Sequence, residues 1–226
     1  MDDTRIDAIY VGAVEDRWPG KAPSAIGKRA VEGPLEISLT GFVDDAQADP
    51  KAHGGPEKAL HHYAAEHYPA WRAELERPDL APGGFGENLS TRGLTEDAVS
   101  IGDVFRLGTA LVQISQGRQP CWKLNAHTRN DRMAYLFQTT GRTGWYYRVL
   151  EPGRAGPGDV VSRVDRPTPD WSVRLVTSAR LRRDADAATV AALAELETLN
   201  AGWRAAFARM ASGDRDEDMA ARLKPS

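Results

Sequence analysis

The feature that most constrains this chain is a change of hydrophobic period at "DRPTPDW" (Asp165–Trp171). Before it, short runs alternate apolar and polar residues with a period near two and are punctuated by Gly and Pro, as half-buried strands are. "RIDAIYVG" (Arg5–Gly12), "PLEISLTGF" (Pro34–Phe42), "GWYYRVLEPG" (Gly144–Gly153) and "DVVSRVD" (Asp159–Asp165) read as strands. "VSIGDVFRLGTALVQISQ" (Val99–Gln116) reads as a hairpin that reverses near Leu107-Gly108. Two helical patches interrupt. Ala64–Glu76 carries Tyr68, Trp71 and Leu75 on one face, with Pro69 in its first turn or kinking it; Asn130–Thr140 starts on a cap residue and carries Met133 and Phe137. After the junction the strand signal stops. Three short helices follow, with faces Val173/Val176/Leu181, Val190/Leu193/Leu196 and Trp203/Phe207/Met210. Each is too short to stand alone and must pack on its neighbours or on the strands. The predicted fold is therefore mainly β: a barrel or sandwich with helical insertions over residues 1–166, with its own core, then a small three-helix extension over 167–226.

Composition narrows the function classes. The 226 residues are 41% hydrophobic and 27% charged, an ordinary globular balance. A net charge of -3 creates no basic field, and the tail's acidic and basic residues nearly cancel, which argues against nucleic acid or an anionic membrane as partner. No apolar run approaches the ~20 residues that span a bilayer. The opening "MDDTRIDAIYVG" lacks a basic segment followed by an apolar one, so a cytoplasmic location is expected.

Three segments carry candidate chemistry. In "HGGPEKALHHY" (His53–Tyr63), Gly54-Gly55-Pro56 forces a turn that either presents backbone amides to a ligand or simply precedes a strand. His53, His61, His62 and His67 match no common zinc spacing, and His61 and His62 would face opposite sides of a strand. In "GGFGENLSTRGL" (Gly83–Leu94) a Gly-rich loop leads into a polar strand; Asn88 could bond a heterocycle or its own turn. The loop is neither a phosphate-binding P-loop nor a dinucleotide fingerprint. "SQGRQPCWKLN" (Ser115–Asn125) holds the chain's one cysteine, Cys121, flanked by Arg118, Pro120 and Lys123. An inert buried thiol is the common fate of a lone cysteine. A basic, turn-like setting instead suits a thiolate that attacks electrophiles or binds soft metals.

Taken in order, "GKAPSAIGK", "HGGPEKALHHY", "GFGENLSTRGLTEDAVSIGDVFRLG" and "SQGRQPCWKLN" resemble the MOSC family, named for the C-terminal domain of molybdenum cofactor sulfurases. Within it the chain is similar to the 6-N-hydroxylaminopurine-resistance (YiiM-like) group over about Arg5 to Arg166, and its tail resembles the three-helix extension of that group. Where the group often has Ser-Gln-Pro-Arg, this chain has Ser115-Gln116-Gly117-Arg118, a change that removes no ligand. The resemblance implies a MOSC-type β-barrel that binds the molybdenum cofactor (Mo-molybdopterin), with Cys121 as protein ligand to the metal. The cofactor's phosphate and pterin would be held by a set drawn from Lys21, Lys28, His53, Gly54, Gly55, Asn88, Arg118, Lys123 and Asn125. It further implies reduction of N-hydroxylated small molecules, with His53 and His62 as candidate proton donors. No flavin, haem or iron–sulfur ligand set is present, so a separate electron-donating reductase is expected. Two rivals are a sulfur carrier that holds a persulfide on Cys121 and a cofactor-binding module without turnover.

Overall fold

The computed structural model describes residues 4–50 and 54–214. Eleven strands and six helices are formed among these residues. The strands are β1 (Ile6–Gly12), β2 (Lys28–Val31), β3 (Leu35–Ser38), β4 (Gly41–Phe42), β5 (Leu60–Ala64), β6 (Leu89–Thr91), β7 (Val104–Leu107), β8 (Ala110–Gly117), β9 (Trp145–Glu151), β10 (Gly153–Ala155) and β11 (Val161–Asp165). The helices are α1 (His67–Leu75), α2 (Trp122–Thr128), α3 (Met133–Thr140), α4 (Val173–Arg182), α5 (Ala187–Glu195) and α6 (Ala201–Ala211). Helix and strand take about equal shares, so the fold is not mainly β as expected.

Eight strands form one sheet in the order β11-β7-β8-β9-β5-β6-β1-β2; β10, β3 and β4 form a second. The large sheet is mixed, because β5 and β6 run parallel while its other pairs are antiparallel. It does not close into the expected barrel. β6 pairs with β1, and β2 pairs with β1 from Ile9 onward. Only the stretch before Ile9 is left to meet the other end of the sheet. There, among the described residues, a single bridge joins Arg5 to Val160, with Ile6 N–H bonded to Asp159 O and Val161 N–H to Thr4 O.

The strand period holds to Asp165, where β11 ends, and the helical period starts at α4. Ser172, Asp186 and Asn200 cap α4, α5 and α6 by accepting from the amides of Leu175, Thr189 and Trp203. α3 starts at Met133 rather than Asn130, whose Oδ1 instead accepts the Arg132 amide in the turn before it. Val173, Val176, Val190, Leu193, Trp203 and Phe207 share one continuous core with Phe105, Leu107, Ile114 and Tyr147 of the sheet. A second, aromatic cluster of Tyr63, Tyr68, Trp71, Phe85 and Phe137 lies under the Gly-rich loop. No helix among the described residues is long and apolar enough to cross a membrane.

Candidate functional site

The register of three adjacent strands builds the site. Tyr146 on β9 pairs with Gln116 on β8 and with His61 on β5. Residues two and five positions beyond Gln116, Arg118 and Cys121, therefore leave the sheet at the level of His61 and Tyr146. The amide of Asn88 donates to the His61 carbonyl, which brings the start of β6 to the same level. His61, Asn88, Arg118, Cys121 and Tyr146 line one cleft together with Ser24, Ile26, Lys28, Asp45, Gln47, Lys58, Gly86 and Lys123. It encloses about 620 Å³ including solvent at its mouth.

The Gly-rich loop is organised by a carboxylate. Glu87, fully buried, accepts from Gly83 N–H at 2.6 Å, Phe85 N–H at 3.0 Å and the Tyr68 hydroxyl at 2.5 Å. Burial raises its pKa above the ordinary value, and those donors oppose the rise without cancelling it. The loop passes close to Ile26 at Gly86, whose φ of 78° and missing side chain both suit glycine. Its Phe85 carbonyl accepts Arg118 Nη1 at 2.7 Å, which fixes the guanidinium beside the cleft.

Lys28 and Asp45 form a nearly buried ion pair, Nζ to Oδ1 2.5 Å and Oδ2 2.6 Å. Asp45 also accepts from Gly12 N–H at 2.7 Å and Asn88 Nδ2 at 2.8 Å. Burial lowers the Lys28 pKa and Asp45 counters this in part. Lys123 Nζ donates to Pro23 O at 3.0 Å, tying the Cys121 segment to the loop before β2. His61 is held well below its usual 6.5, by burial first and by the Arg118 charge second, so it is a neutral imidazole. Its ring lies 5.1 Å from that of Tyr146. Among the described residues, no three His, Cys, Asp or Glu groups gather to hold a metal.

The structure thus brings together Lys28, Asn88, Arg118, Cys121 and Lys123 of the expected set. It places others elsewhere. Lys21 does not line the cleft. Gly54 and Gly55 lie behind Gln47, whose Oε1 accepts the Gly55 amide at 3.1 Å. Asn125 ties α2 to α3, accepting from Ala134 N–H at 2.6 Å and donating to Asp131 O at 2.8 Å. His62 points into the core, with Nδ1 3.0 Å from the Tyr147 hydroxyl and Nε2 2.8 Å from Thr91 Oγ1. His53 lies outside the described residues. Sequence reasoning weighed His61 only as a zinc ligand and passed over Tyr146, Lys58 and Asp45. The alternation at His61-His62 signalled that the two face opposite sides of a strand, but not which one faces the core.

A family model described as the MOSC domain matches residues 49–162. Protein YiiM of Escherichia coli (strain K12) is 48% identical over 162 residues, which is 69% of this chain and 71% of that protein. A protein named Reductase from Gibberella moniliformis is 43% identical over 157 residues, 68% of this chain but 28% of that longer protein. The crystal structure of YiiM from Geobacillus stearothermophilus is similar with a TM-score of 0.79 at 32% identity, covering 92% of this chain and 99% of that one. By the extent of the domain match and the identity to YiiM, the chain belongs to the MOSC domain family.

Proposed function

We propose that this chain binds the molybdenum cofactor, with Cys121 as its protein ligand to the metal, and reduces N-hydroxylated compounds such as 6-N-hydroxylaminopurine to amines. The observation that carries this reading is the convergence of one thiol with Lys28, Arg118, Lys123 and Asn88 on a single cleft. The donor set fits the group. A soft sulfur ligand suits a metal already held by dithiolene sulfur, and the cations suit a phosphate. When bound, the cofactor supplies two-electron redox chemistry that no side chain has. Conversion of R–NH–OH to R–NH2 and water consumes two electrons and two protons, and the electrons are to come from a separate reductase. The chain's own residues have narrower tasks. Arg118 and Lys123 offer charge-assisted hydrogen bonds to the cofactor's anionic end, each held in place by a carbonyl. The Lys28–Asp45 pair lines the cleft as a fixed ion pair, and the Glu87-centred loop contributes Gly86 to its lining.

The test is molybdenum and pterin quantification on protein made in a host that synthesises the cofactor, followed by chromatography of adenine formed with an electron donor. Wild-type protein should hold both and form adenine. The Cys121→Ala variant should keep its far-UV circular dichroism while losing molybdenum and turnover. A metal-free protein carrying a Cys121 persulfide by mass spectrometry would instead establish a sulfur carrier. Metal without turnover of any N-hydroxy compound would leave a binding module.

A further inference from the structure

Most polar side chains that line the cleft are tied to other parts of the protein. Lys28 is paired with Asp45, which also takes the Asn88 amide, while Asn88 Oδ1 accepts the His61 N–H. Arg118 Nη1 and Lys123 Nζ each donate to a carbonyl, and Gln47 bonds Thr40 O and Gly55 N–H. Tyr146 is different. Its ring is positioned by β9 and by contact with His61, yet among the described residues its hydroxyl makes no hydrogen bond. The residue is half-buried and lines the cleft together with Arg118 and Cys121. An oriented donor that lacks a protein partner inside a cleft is a recognition element, because a ligand oxygen is what would complete it.

We infer that the Tyr146 hydroxyl receives the N–O oxygen of the substrate and makes the site prefer a hydroxylamine to the corresponding amine. This deepens the reductase reading and rests on it. Substrate and product differ by that one oxygen, so a donor aimed at it separates them where stacking on the base cannot. Tyr146 suits the task at neutral pH. Burial raises its pKa from the ordinary 10, so the phenol stays protonated and remains a donor. His61 beside it is neutral and adds no charge that would favour an anion over a neutral hydroxylamine. The product amine leaves the hydroxyl without a partner, which weakens product binding and favours its release.

The experiment is a binding comparison without any electron donor, so that nothing turns over. Calorimetric affinities for 6-N-hydroxylaminopurine and for adenine would be measured on cofactor-loaded wild type, Tyr146→Phe and the exposed control Tyr135→Phe. Wild type and Tyr135→Phe should prefer the hydroxylamino base about tenfold, the worth of one neutral hydrogen bond. Tyr146→Phe, which keeps the ring against His61, should hold equal molybdenum and bind both bases alike. A retained preference in Tyr146→Phe, or no preference in wild type, would overturn the inference. Loss of molybdenum in Tyr146→Phe would also overturn it, by placing the hydroxyl on the cofactor. If the Tyr146-dependent preference is found but wild type with a donor reduces no N-hydroxy compound, the reductase reading falls and the binding assignment stands.

Discussion

His61 and His62 are chain neighbours with opposite surroundings, and the difference has a measurable consequence. His61 faces the cleft beside Arg118, while His62 sits in the core between Tyr147 and Thr91 with its ring 4.4 Å from that of Trp145. Burial lowers the His62 pKa from 6.5 to about 3. The unfolded chain therefore takes up this proton near pH 6.5 and the folded chain only near pH 3. The stabilisation is complete above pH 6.5 and is lost as pH falls toward 3, at about 1.4 kcal/mol per pH unit for one proton. Urea unfolding at pH 7, 5.5 and 4 (values chosen to bracket roughly that window) should show this slope in wild type. His62→Gln should start less stable at neutral pH, because two buried bonds are lost, but decline less steeply. Equal slopes in the two proteins would show that His62 is charged in the folded state. The sequence alternation was enough to separate the two imidazoles but not to orient them. Period two fixes relative faces, and only pairing with β9 and β6 decides which face is the core.

At the scale of elements, the site depends on how β9 begins. Gly144 precedes β9 with φ 70°, donates its N–H to the buried Glu96 at 2.8 Å and accepts the Arg118 amide at 3.0 Å. A Cβ at this position would overlap the carbonyl oxygen of His62, a backbone atom of the neighbouring strand. Relief would require β9 to move away from β5, and with it Tyr146 away from His61. Gly144→Ala should therefore cost roughly 1–3 kcal/mol by urea unfolding and lower cofactor retention as well. A variant with wild-type stability and full molybdenum would show that the strand contact is slack. The longer strands were legible because several residues repeated the alternation, and the β7–β8 hairpin reverses at Gly108 as its sequence implied. β6 is the polar strand read after the Gly-rich loop, and Pro34–Phe42, read as one strand, turns at Leu39-Thr40 to give β3 and β4. β2 and β10, of four and three residues, are too short to show a period. α2 was missed for the same reason, so the Cys121 segment read as a turn; Cys121 is in fact extended backbone, φ -136°, at the entry to a seven-residue helix.

On the scale of the whole molecule, the question is whether the change of period at residue 166 is also a boundary of stability. The Pro-rich junction and the change of period implied a strand domain with a core of its own, and the helices after it pack on the strand that runs into the site. Ser115 O on β8 accepts the Asn200 amide, and Gly117 lies so close to Thr177 that a Cβ would overlap its hydroxyl. Nearer the junction, Ile101 N–H donates to Trp171 O and Val173 N–H to Val99 O, so the loop before β7 is tied to the start of α4. Trp203 and Phe207 complete the core that Phe105 and Ile114 begin. The sheet is also open: among the described residues its seam is crossed by the Arg5–Val160 bridge and the few hydrogen bonds beside it, so it lacks the self-sufficiency of a closed barrel. We therefore propose residue 166 as a boundary of period, with stability shared across it. A chain ending at Arg166 should melt at least ~10 °C below the full chain, on the order of 3–5 kcal/mol for a protein of this size. Its cofactor retention should fall too, because β8 leads directly to Arg118 and Cys121. Differential scanning calorimetry and molybdenum content on the two chains would check both effects together. A truncated chain with the full chain's melting temperature and full molybdenum would establish residues 1–166 as an independent domain and leave the helices to some other task.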